Sequence, residues 1–199
     1  MHDGSGYLRI GSFDRASGEI RDCRFDVTWH GEATLFEANQ GSPLFHYDTI
    51  RAETSSGAIY FFYALGTKLV IWNSILSCSG GDSTLVSSDA ALVAGQFVAD
   101  CIWGFGRLAD GAGTVQSLQD LNALNASSPR FAGHKNISEA PYRTFGPPVK
   151  GVAQLSPGSA CVGAALPIDS EPARDFTGRP RPGIADTVPP DIGADEISE

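Results

Sequence analysis

An internal repeat of 25 to 27 residues constrains the fold of this chain more than any other feature of its sequence. Four segments of the first half each carry an Asp or Asn followed by a small residue, with apolar residues around the pair. The Asx positions are Asp22, Asp48, Asn73 and Asp100, at spacings of 26, 25 and 27 residues. A period of this length predicts a stack of similar coils, in which each repeat buries its apolar face against its neighbours.

The composition of the repeats distinguishes between solenoid architectures. A leucine-rich repeat would show leucines at fixed places, and these are missing. A parallel β-helix needs about three short strands per coil, joined by turns that often contain Gly or Asn, and the repeats fit this description. An ordinary β-sandwich with four coincidental Asx pairs is the alternative, because short strands at irregular spacing look similar. The sequence therefore favours an all-β solenoid of about four coils.

The recurring Asx residues are expected to form a structural ladder at one corner of the solenoid. A carboxyl or amide at a corner can bond its own backbone and the equivalent residues one coil above and below. We therefore predict that Asp22, Asp48, Asn73 and Asp100 occupy one column, with one residue in each coil.

The four cysteines lack CxxC or Cys/His spacing, so the sequence predicts neither a zinc site nor a disulfide framework. The repeat places Cys23 and Cys101 in one column, three coils apart. At a strand spacing of about 4.8 Å, their Cα atoms would lie roughly 14 Å apart. A disulfide spans about 7 Å at most, so both are expected to be free thiols.

Charge and motifs exclude several classes of function. The net charge of −9 argues against nucleic acid and against an anionic membrane surface, because both bind clustered Lys and Arg. No phosphate-binding glycine motif occurs, and we expect no cofactor and no metal. From the sequence we expect no signal peptide and no transmembrane segment.

The second half has a different character, so we divide the chain into coils in residues 1–106 and an irregular Pro- and Gly-rich cap or tail in residues 107–199. Thr114 is a candidate N-cap for a short helix. That helix would carry three leucines at three-residue intervals, Leu118, Leu121 and Leu124.

Four short motifs follow in a fixed order in the tail. They are Pro129-x-Phe131, Leu155-x-Pro157-x-Ser159-Ala160-x-x-Gly163, Asp175-x-x-Gly178-Arg179-Pro180 and Asp191-Ile192-Gly193-Ala194-x-Glu196. With these motifs the tail resembles the C-terminal region of bacterial right-handed parallel β-helix proteins of the pectin-lyase-like superfamily, and most of all those with a choice-of-anchor domain. The chain departs from that pattern where Ala160 follows Ser159 directly and where Asp195 replaces an aromatic residue.

The resemblance implies a right-handed parallel β-helix and an extracellular or cell-surface location. It also implies that the chain is the C-terminal portion of a longer protein, or a truncated one. The function it implies is non-catalytic: a segment that binds glycans or other surface components, or that is purely structural. The alternative is a fragment of a polysaccharide lyase or glycoside hydrolase, which would need clustered acids.

Candidate residues for these functions are few. Tyr47 and Trp72 are predicted to share a column of the repeat, and with His46 they would present an exposed sugar-stacking platform. Packing of Trp72 under a loop is the alternative. A polar outer patch is expected from Asp26, His30, Arg51 and Glu53. Acids are also present throughout the coils, but no pair of them demands a catalytic role. These acids are Asp22, Asp26, Glu32, Glu37, Asp48, Glu53, Asp82, Asp89 and Asp100.

The charged residues of the tail motifs are expected to cap the last coil, because a solenoid end exposes unpaired backbone and apolar side chains. The cap residues are Asp175, Arg179, Asp191 and Glu196. Arg179 is expected to bind Asp191 first, or Asp175. The first coil has no recognisable cap, so end-to-end self-association is expected there.

Overall fold

The chain folds into a parallel β-solenoid of about four coils, which confirms the fold predicted from the repeat. The computed structural model describes residues 7–111, 115–139, 155–156, 158–168, 173–182 and 188–194. Each coil contributes three strands. In chain order these are β1 (Leu8–Asp14), β2 (Glu19–Arg21), β3 (Arg24–Trp29), β4 (Ala33–Asn39), β5 (Leu44–His46), β6 (Thr49–Thr54), β7 (Ala58–Leu65), β8 (Val70–Trp72), β9 (Ile75–Ser79), β10 (Asp82–Ser88), β11 (Phe97–Val98) and β12 (Cys101–Trp103).

The strands stack into three parallel sheets. Sheet 1 has the order β1-β4-β7-β10-β13, in which β13 is Arg107–Gly111. Sheet 2 has the order β2-β5-β8-β11 and sheet 3 has β3-β6-β9-β12. The last strand of sheet 1, β13 (Arg107–Gly111), extends the solenoid slightly beyond residue 106. Equivalent residues of successive coils therefore form columns. Each surface of the solenoid is made of such columns of side chains.

Aromatic side chains fill the interior. Phe36 and Phe62 are stacked in neighbouring coils, with ring centroids 5.8 Å apart, and Phe45 contacts both of them edge-on. All three are buried. Stacking of like residues is what the repeat supplies, because each coil offers the same apolar positions to the next.

A ladder of hydrogen bonds from backbone to side chain runs along the corner between sheets 2 and 3. Each side chain accepts the backbone N–H of the residue one coil earlier: Asp48 Oδ1 from Cys23 at 2.9 Å, Ser74 Oγ from Asp48 at 3.2 Å, Asp100 Oδ1 from Ser74 at 2.8 Å and Asn136 Oδ1 from Asp100 at 3.0 Å. A buried backbone donor is costly when unpaired. The ladder therefore satisfies the corner in every coil.

The predicted Asx column is wrong by one residue at two of its four members. Strand register places Asp22 level with Tyr47, Asn73 and Ala99, one position before the ladder. These four residues have φ of 54° to 55°, in the left-handed region that Asp and Asn tolerate well. We call them the left-handed column. Asx residues thus serve two neighbouring columns for two different physical reasons.

The same shift separates the cysteines that the repeat had placed together. Cys23 is level with Asp48, whereas Cys101 is level with Ile75. The four cysteines are free thiols, as expected for Cys23 and Cys101.

The last coil is closed by the helix α1 (Leu118–Ala126) and the residues after it. The predicted leucine-bearing helix is confirmed. Its N-cap is Ser117, whose hydroxyl accepts the Asp120 N–H, and not the predicted Thr114, which lies outside the described residues. Leu121 joins the apolar interior, and Asn125 Nδ2 donates to Phe97 O at 2.6 Å. The helix therefore supplies both apolar cover and hydrogen-bond partners to the final coil.

The irregular tail covers the side of the solenoid, over the left-handed column. Asn73 forms a pair of bonds with it, accepting the Leu166 N–H at 2.6 Å and donating from Nδ2 to Leu166 O at 2.8 Å. Gly193 N donates to Asn73 O, and Ala194 N donates to Thr49 Oγ1. The expectation that the tail motifs close the last coil is corrected accordingly, because α1 already occupies that end.

The opposite end of the stack is formed by β1, β2 and β3, which within the described residues pair with a neighbour on one side only. The end-to-end self-association expected there stays a prediction. Among the described residues, no helix has the length and apolar character needed to cross a bilayer.

Glycines at the corner between sheets 3 and 1 permit the close approach of successive coils. Gly104 has φ of +81°, and a Cβ placed there would lie 1.9 Å from Cys78 O in the coil before. We expect Gly104→Ala to lower the free energy of unfolding by about 2 kcal/mol or more, from backbone strain and forced separation of the coils. Urea denaturation measures this.

Gly133→Ala is the matched control, because a Cβ at Gly133 meets no atom within 4 Å. Its effect is expected to stay within about 0.5 kcal/mol. Equal effects of the two substitutions would contradict the close-approach explanation.

Candidate functional site

Two rows of polar and aromatic side chains run across the outer face of sheet 1, from coil to coil. Strand register aligns row one as Arg9, Thr34, Tyr60, Thr84 and Arg107. Row two, three residues further along each strand, consists of Ser12, Glu37, Tyr63, Ser87 and Asp110. Every coil contributes one residue to each row.

Between the rows, each central strand turns two consecutive side chains into the interior. Leu35 and Phe36 of β4 are both buried, as are Phe61 and Phe62 of β7. Because successive side chains of a regular strand point to opposite faces, two buried neighbours mark a local bend. One row lies on each side of this pair, and side chains of both rows line a concavity on the outer face.

A cleft of about 390 Å³ occupies this concave face, which we call the sheet 1 cleft. Its aromatic lining consists of Tyr60 and Tyr63, both half-buried, and the exposed Tyr7. The residues lining it are Tyr7, Glu32, Ala33, Thr34, Glu37, Tyr60, Tyr63 and Ser87. A few aromatic rings with convergent hydroxyl and carboxylate groups are typical of small-ligand sites.

Ion pairs join the two rows at both ends of the stack. Arg9 of row one binds Glu37 of row two, and Arg107 lies 3.9 Å from Asp110. Within each pair the positive and negative charges neutralise each other, so the net charge along both rows is small. Glu32, which also lines the cleft, is exposed. The central part between the ion pairs is built from uncharged Thr, Tyr and Ser side chains.

The predicted sugar-stacking platform of Tyr47, Trp72 and His46 is not on the surface. Tyr47 is fully buried beneath the tail, where the guanidinium of Arg181 lies 4.4 Å from its ring centroid. Register also pairs Trp72 with His46 and not with Tyr47. The expectation failed because the tail covers the corner to which Tyr47 belongs.

The other two platform residues also have structural partners. His46 is fully buried, its Nε2 contacts Glu19 Oε1, and burial lowers its pKa. Trp72 Nε1 donates to Gly95 O at 2.8 Å, and its ring lies 5.8 Å from that of Phe131. Trp72 therefore packs under a neighbouring segment, which was the alternative interpretation.

The predicted polar patch is present on the outer face of sheet 3. Its carboxylates are bound by arginines of the same strands: Arg51 contacts Glu53, and Arg24 Nε lies 2.7 Å from Asp26 Oδ2. His30 Nδ1 lies 2.6 Å from Ser55 Oγ. Mutual pairing of exposed charges indicates a solvated surface. Nowhere in the described part of the chain do three His, Cys, Asp or Glu side chains form a group that could hold a metal ion.

Two of the predicted cap carboxylates organise the tail itself. Asp175 Oδ1 accepts the Arg179 backbone N–H at 2.7 Å, and Asp191 Oδ1 accepts the Gly163 N–H at 2.7 Å. Glu196 lies outside the described residues. Asp175 therefore stabilises a turn of the tail, and Asp191 joins two segments of the tail.

Among the described residues of the tail, the arginine with a fully buried side chain is Arg181, two residues beyond Arg179. Its Nη2 lies 2.9 Å from Asp22 Oδ1 and donates to Gly193 O at 2.8 Å. Its side chain is 0% exposed. This ion pair joins the tail to the left-handed column of the first coil.

Sequence reasoning missed the sheet 1 cleft, although a signal for it was present. Pairs of outward residues separated by two apolar ones recur with the solenoid period: Arg9-x-x-Ser12, Thr34-x-x-Glu37, Tyr60-x-x-Tyr63, Thr84-x-x-Ser87 and Arg107-x-x-Asp110. The Asx repeat indicates the corner between sheets 2 and 3, whereas this second pattern indicates the outer face of sheet 1.

Comparison with known protein families, curated proteins and solved structures finds no match to this chain. The sheet 1 cleft must therefore be interpreted from its own geometry and chemistry.

Proposed function

We propose that the chain is a non-catalytic β-solenoid segment of a secreted or cell-surface protein, and that it binds a neutral glycan in the sheet 1 cleft. The observation that carries this proposal is the pair of tyrosines, Tyr60 and Tyr63, on opposite sides of a concave face lined by hydroxyl groups. The sequence resemblance to surface β-helix proteins supports the location.

The side chains of the cleft suit a sugar chemically. A tyrosine ring offers an apolar face to the C–H surface of a pyranose and a hydroxyl group at its edge. The half-buried Ser87 offers a hydroxyl that both donates and accepts, as sugar hydroxyls do, and the buried Thr34 also lines the cleft. Because the rows repeat from coil to coil, several equivalent contacts are available to an extended chain.

The charge of the cleft favours a neutral over an anionic glycan. Arg9 is already bound to Glu37, and Arg107 lies between Asp82 and Asp110. Neither arginine is free to neutralise a polyanion, and the chain carries a net charge of −9. Repulsion of an acidic polysaccharide is therefore expected at low salt.

Substitution of either cleft tyrosine tests the proposal. Native gels containing neutral polysaccharides, namely β-glucan, xylan or galactomannan, should retard the wild-type protein, and polygalacturonate should not. We expect Tyr60→Ala and Tyr63→Ala each to weaken binding to the retarding glycan by about tenfold or more, from loss of ring contact.

Trp103→Ala is the matched control, because Trp103 is an aromatic residue 39% exposed on sheet 3, outside the cleft. It should leave retardation unchanged. Retardation that is lost equally in the control, or that is confined to polygalacturonate, would reject the cleft as a neutral-glycan site.

A second candidate function rests on two carboxylates in the same cleft. Glu32 and Glu37 both line it, and a glycoside hydrolase needs two acids facing one bond. Release of reducing ends from a bound glycan, abolished in Glu32→Gln and in Glu37→Gln, would favour hydrolysis over binding. The ion pair of Glu37 with Arg9 is the reason we rank this function second.

A further inference from the structure

Two cysteines from distant parts of the chain meet under the tail. Cys101 begins β12 in the fourth coil, and Cys161 belongs to the tail segment that covers the solenoid. Both are 0% exposed and belong to one apolar cluster that also contains Tyr47, Ile75 and Ile192. The other two cysteines are not members of this cluster.

The Cys101 and Cys161 side chains are neighbours in this cluster and interact with each other. Glu139 holds the surrounding segments together. Its backbone oxygen lies 3.6 Å from Cys101 Sγ, and its carboxylate accepts the Ser159 hydroxyl at 2.6 Å. Ser159 Oγ in turn accepts the Cys161 N–H at 3.1 Å. The thiol contact is thus fixed on both sides by hydrogen bonds.

Both thiols are fully buried while the tail is docked. Since the nucleophile in thiol–disulfide exchange is an accessible thiolate, reaction with an external disulfide begins while the tail is undocked.

We propose that Cys101 and Cys161 are a disulfide-forming pair, whose oxidation covalently fastens the tail to the fourth coil of the solenoid. This inference does not depend on the proposed glycan binding, since the sheet 1 cleft lies on another face and contains neither residue.

The oxidant required is a small-molecule disulfide. While the tail is undocked, the Cys161 thiolate attacks one sulfur of the disulfide, forming a mixed disulfide and releasing one thiolate. On docking, the Cys101 thiolate attacks the Cys161 sulfur, forming the Cys101–Cys161 bond and releasing the second thiol. Two electrons pass to the oxidant, and two protein protons leave with them.

The other cysteines provide internal controls. Cys23 is half-buried in the first coil, where its N–H binds Asp48, and Cys78 is buried within the solenoid core. Neither shares a hydrophobic cluster with Cys101 or Cys161. The structure therefore predicts one specific bond and two remaining thiols.

The experiment is to refold the full chain with oxidised glutathione, block free thiols by alkylation and map peptides by mass spectrometry without reduction. We expect a Cys101–Cys161 link, with Cys23 and Cys78 alkylated. The link closes a loop of about 60 residues, so oxidation should raise Tm by about 5–10 °C relative to reduced protein.

Cys161→Ala should show no link and the same Tm before and after oxidation, while a Cys23→Ala variant should keep the link. If Cys161→Ala fails to fold, the wild-type peptide map alone decides. Four alkylated cysteines, or a link that involves Cys23 or Cys78, would overturn the proposal.

Discussion

The free energy of unfolding should fall as the pH rises from about 5 to about 8, because the ladder holds Asp48 in its protonated form. Burial raises the pKa of Asp48 to about 8, and Asp22 nearby adds to the effect. Asp100 is buried in the same ladder and its pKa is also raised by burial. One oxygen of each carboxyl accepts a backbone N–H, while the second, Oδ2, has no hydrogen-bond partner among the described residues.

The sign follows from proton binding in the two states. In the unfolded chain an Asp releases its proton near pH 3.9, whereas folded Asp48 keeps its proton up to about pH 8. Between these values the folded state binds the extra proton, so stability falls by about 1.4 kcal/mol per pH unit for such a group. His46 acts in the opposite sense below about pH 6.5, because burial lowers its pKa and the unfolded state then binds more protons.

Comparison of Asp48→Asn with the wild type isolates the contribution of Asp48. Asn keeps the acceptor for the Cys23 N–H and has no proton to lose. We expect the variant to gain roughly 3 kcal/mol relative to the wild type between pH 5 and pH 8. Urea denaturation at half-unit pH intervals measures the slope.

Asp82→Asn is the control for this series, since Asp82 is exposed and its carboxylate lies 3.8 Å from Arg107 at the surface. Its pH dependence should follow that of the wild type. If Asp48→Asn kept the wild-type slope, Asp48 would have to be ionised in the folded ladder, and our account of the corner would be wrong.

Replacement of Arg181 should detach the tail from the solenoid. The fully buried Arg181 side chain binds Asp22, donates to Gly193 O and lies over the ring of Tyr47. Arg181→Ala would leave a partly buried carboxylate and a buried carbonyl without these bonds. We expect a loss of about 3 kcal/mol or more in the free energy of unfolding.

Arg107→Ala is the matched control, because its carboxylate partners lie 3.8 Å and 3.9 Å away on an exposed surface. Its cost should be below about 1 kcal/mol. A double-mutant cycle of Arg181→Ala with Asp22→Asn should show a coupling energy, since the two side chains are in contact. A thermal melt of Arg181→Ala that matches that of the control would remove Arg181 as the tail's main attachment.

The repeat predicted the fold correctly. The residue types did not predict the register, that is, which Asp and Asn residues align between successive coils. Asp22 and Asn73 are favoured because Asx residues tolerate the left-handed conformation. Asp48 and Asp100 are favoured because their side chains accept a corner N–H. Both reasons select Asp or Asn at adjacent positions, so the sequence alone merges two columns into one.

The candidate site was hidden for a different reason. The rows of the sheet 1 cleft contain Arg, Thr, Tyr, Ser and Glu side chains, so no single residue type repeats along them. What repeats is the spacing of outward side chains around two apolar residues. The burial of Tyr47 depends on a tail more than a hundred residues away, and no local pattern carries that information.

Binding of a neutral glycan in the sheet 1 cleft is the central claim, and hydrogen–deuterium exchange with and without a glycan tests it most directly. A neutral oligosaccharide selected from a glycan array would be added at saturating concentration to the full chain. We predict slower exchange confined to peptides of β4 and β7, which carry Thr34, Glu37, Tyr60 and Tyr63. Protection confined to sheet 3 or to the tail, or an array on which no neutral glycan binds, would contradict the claim.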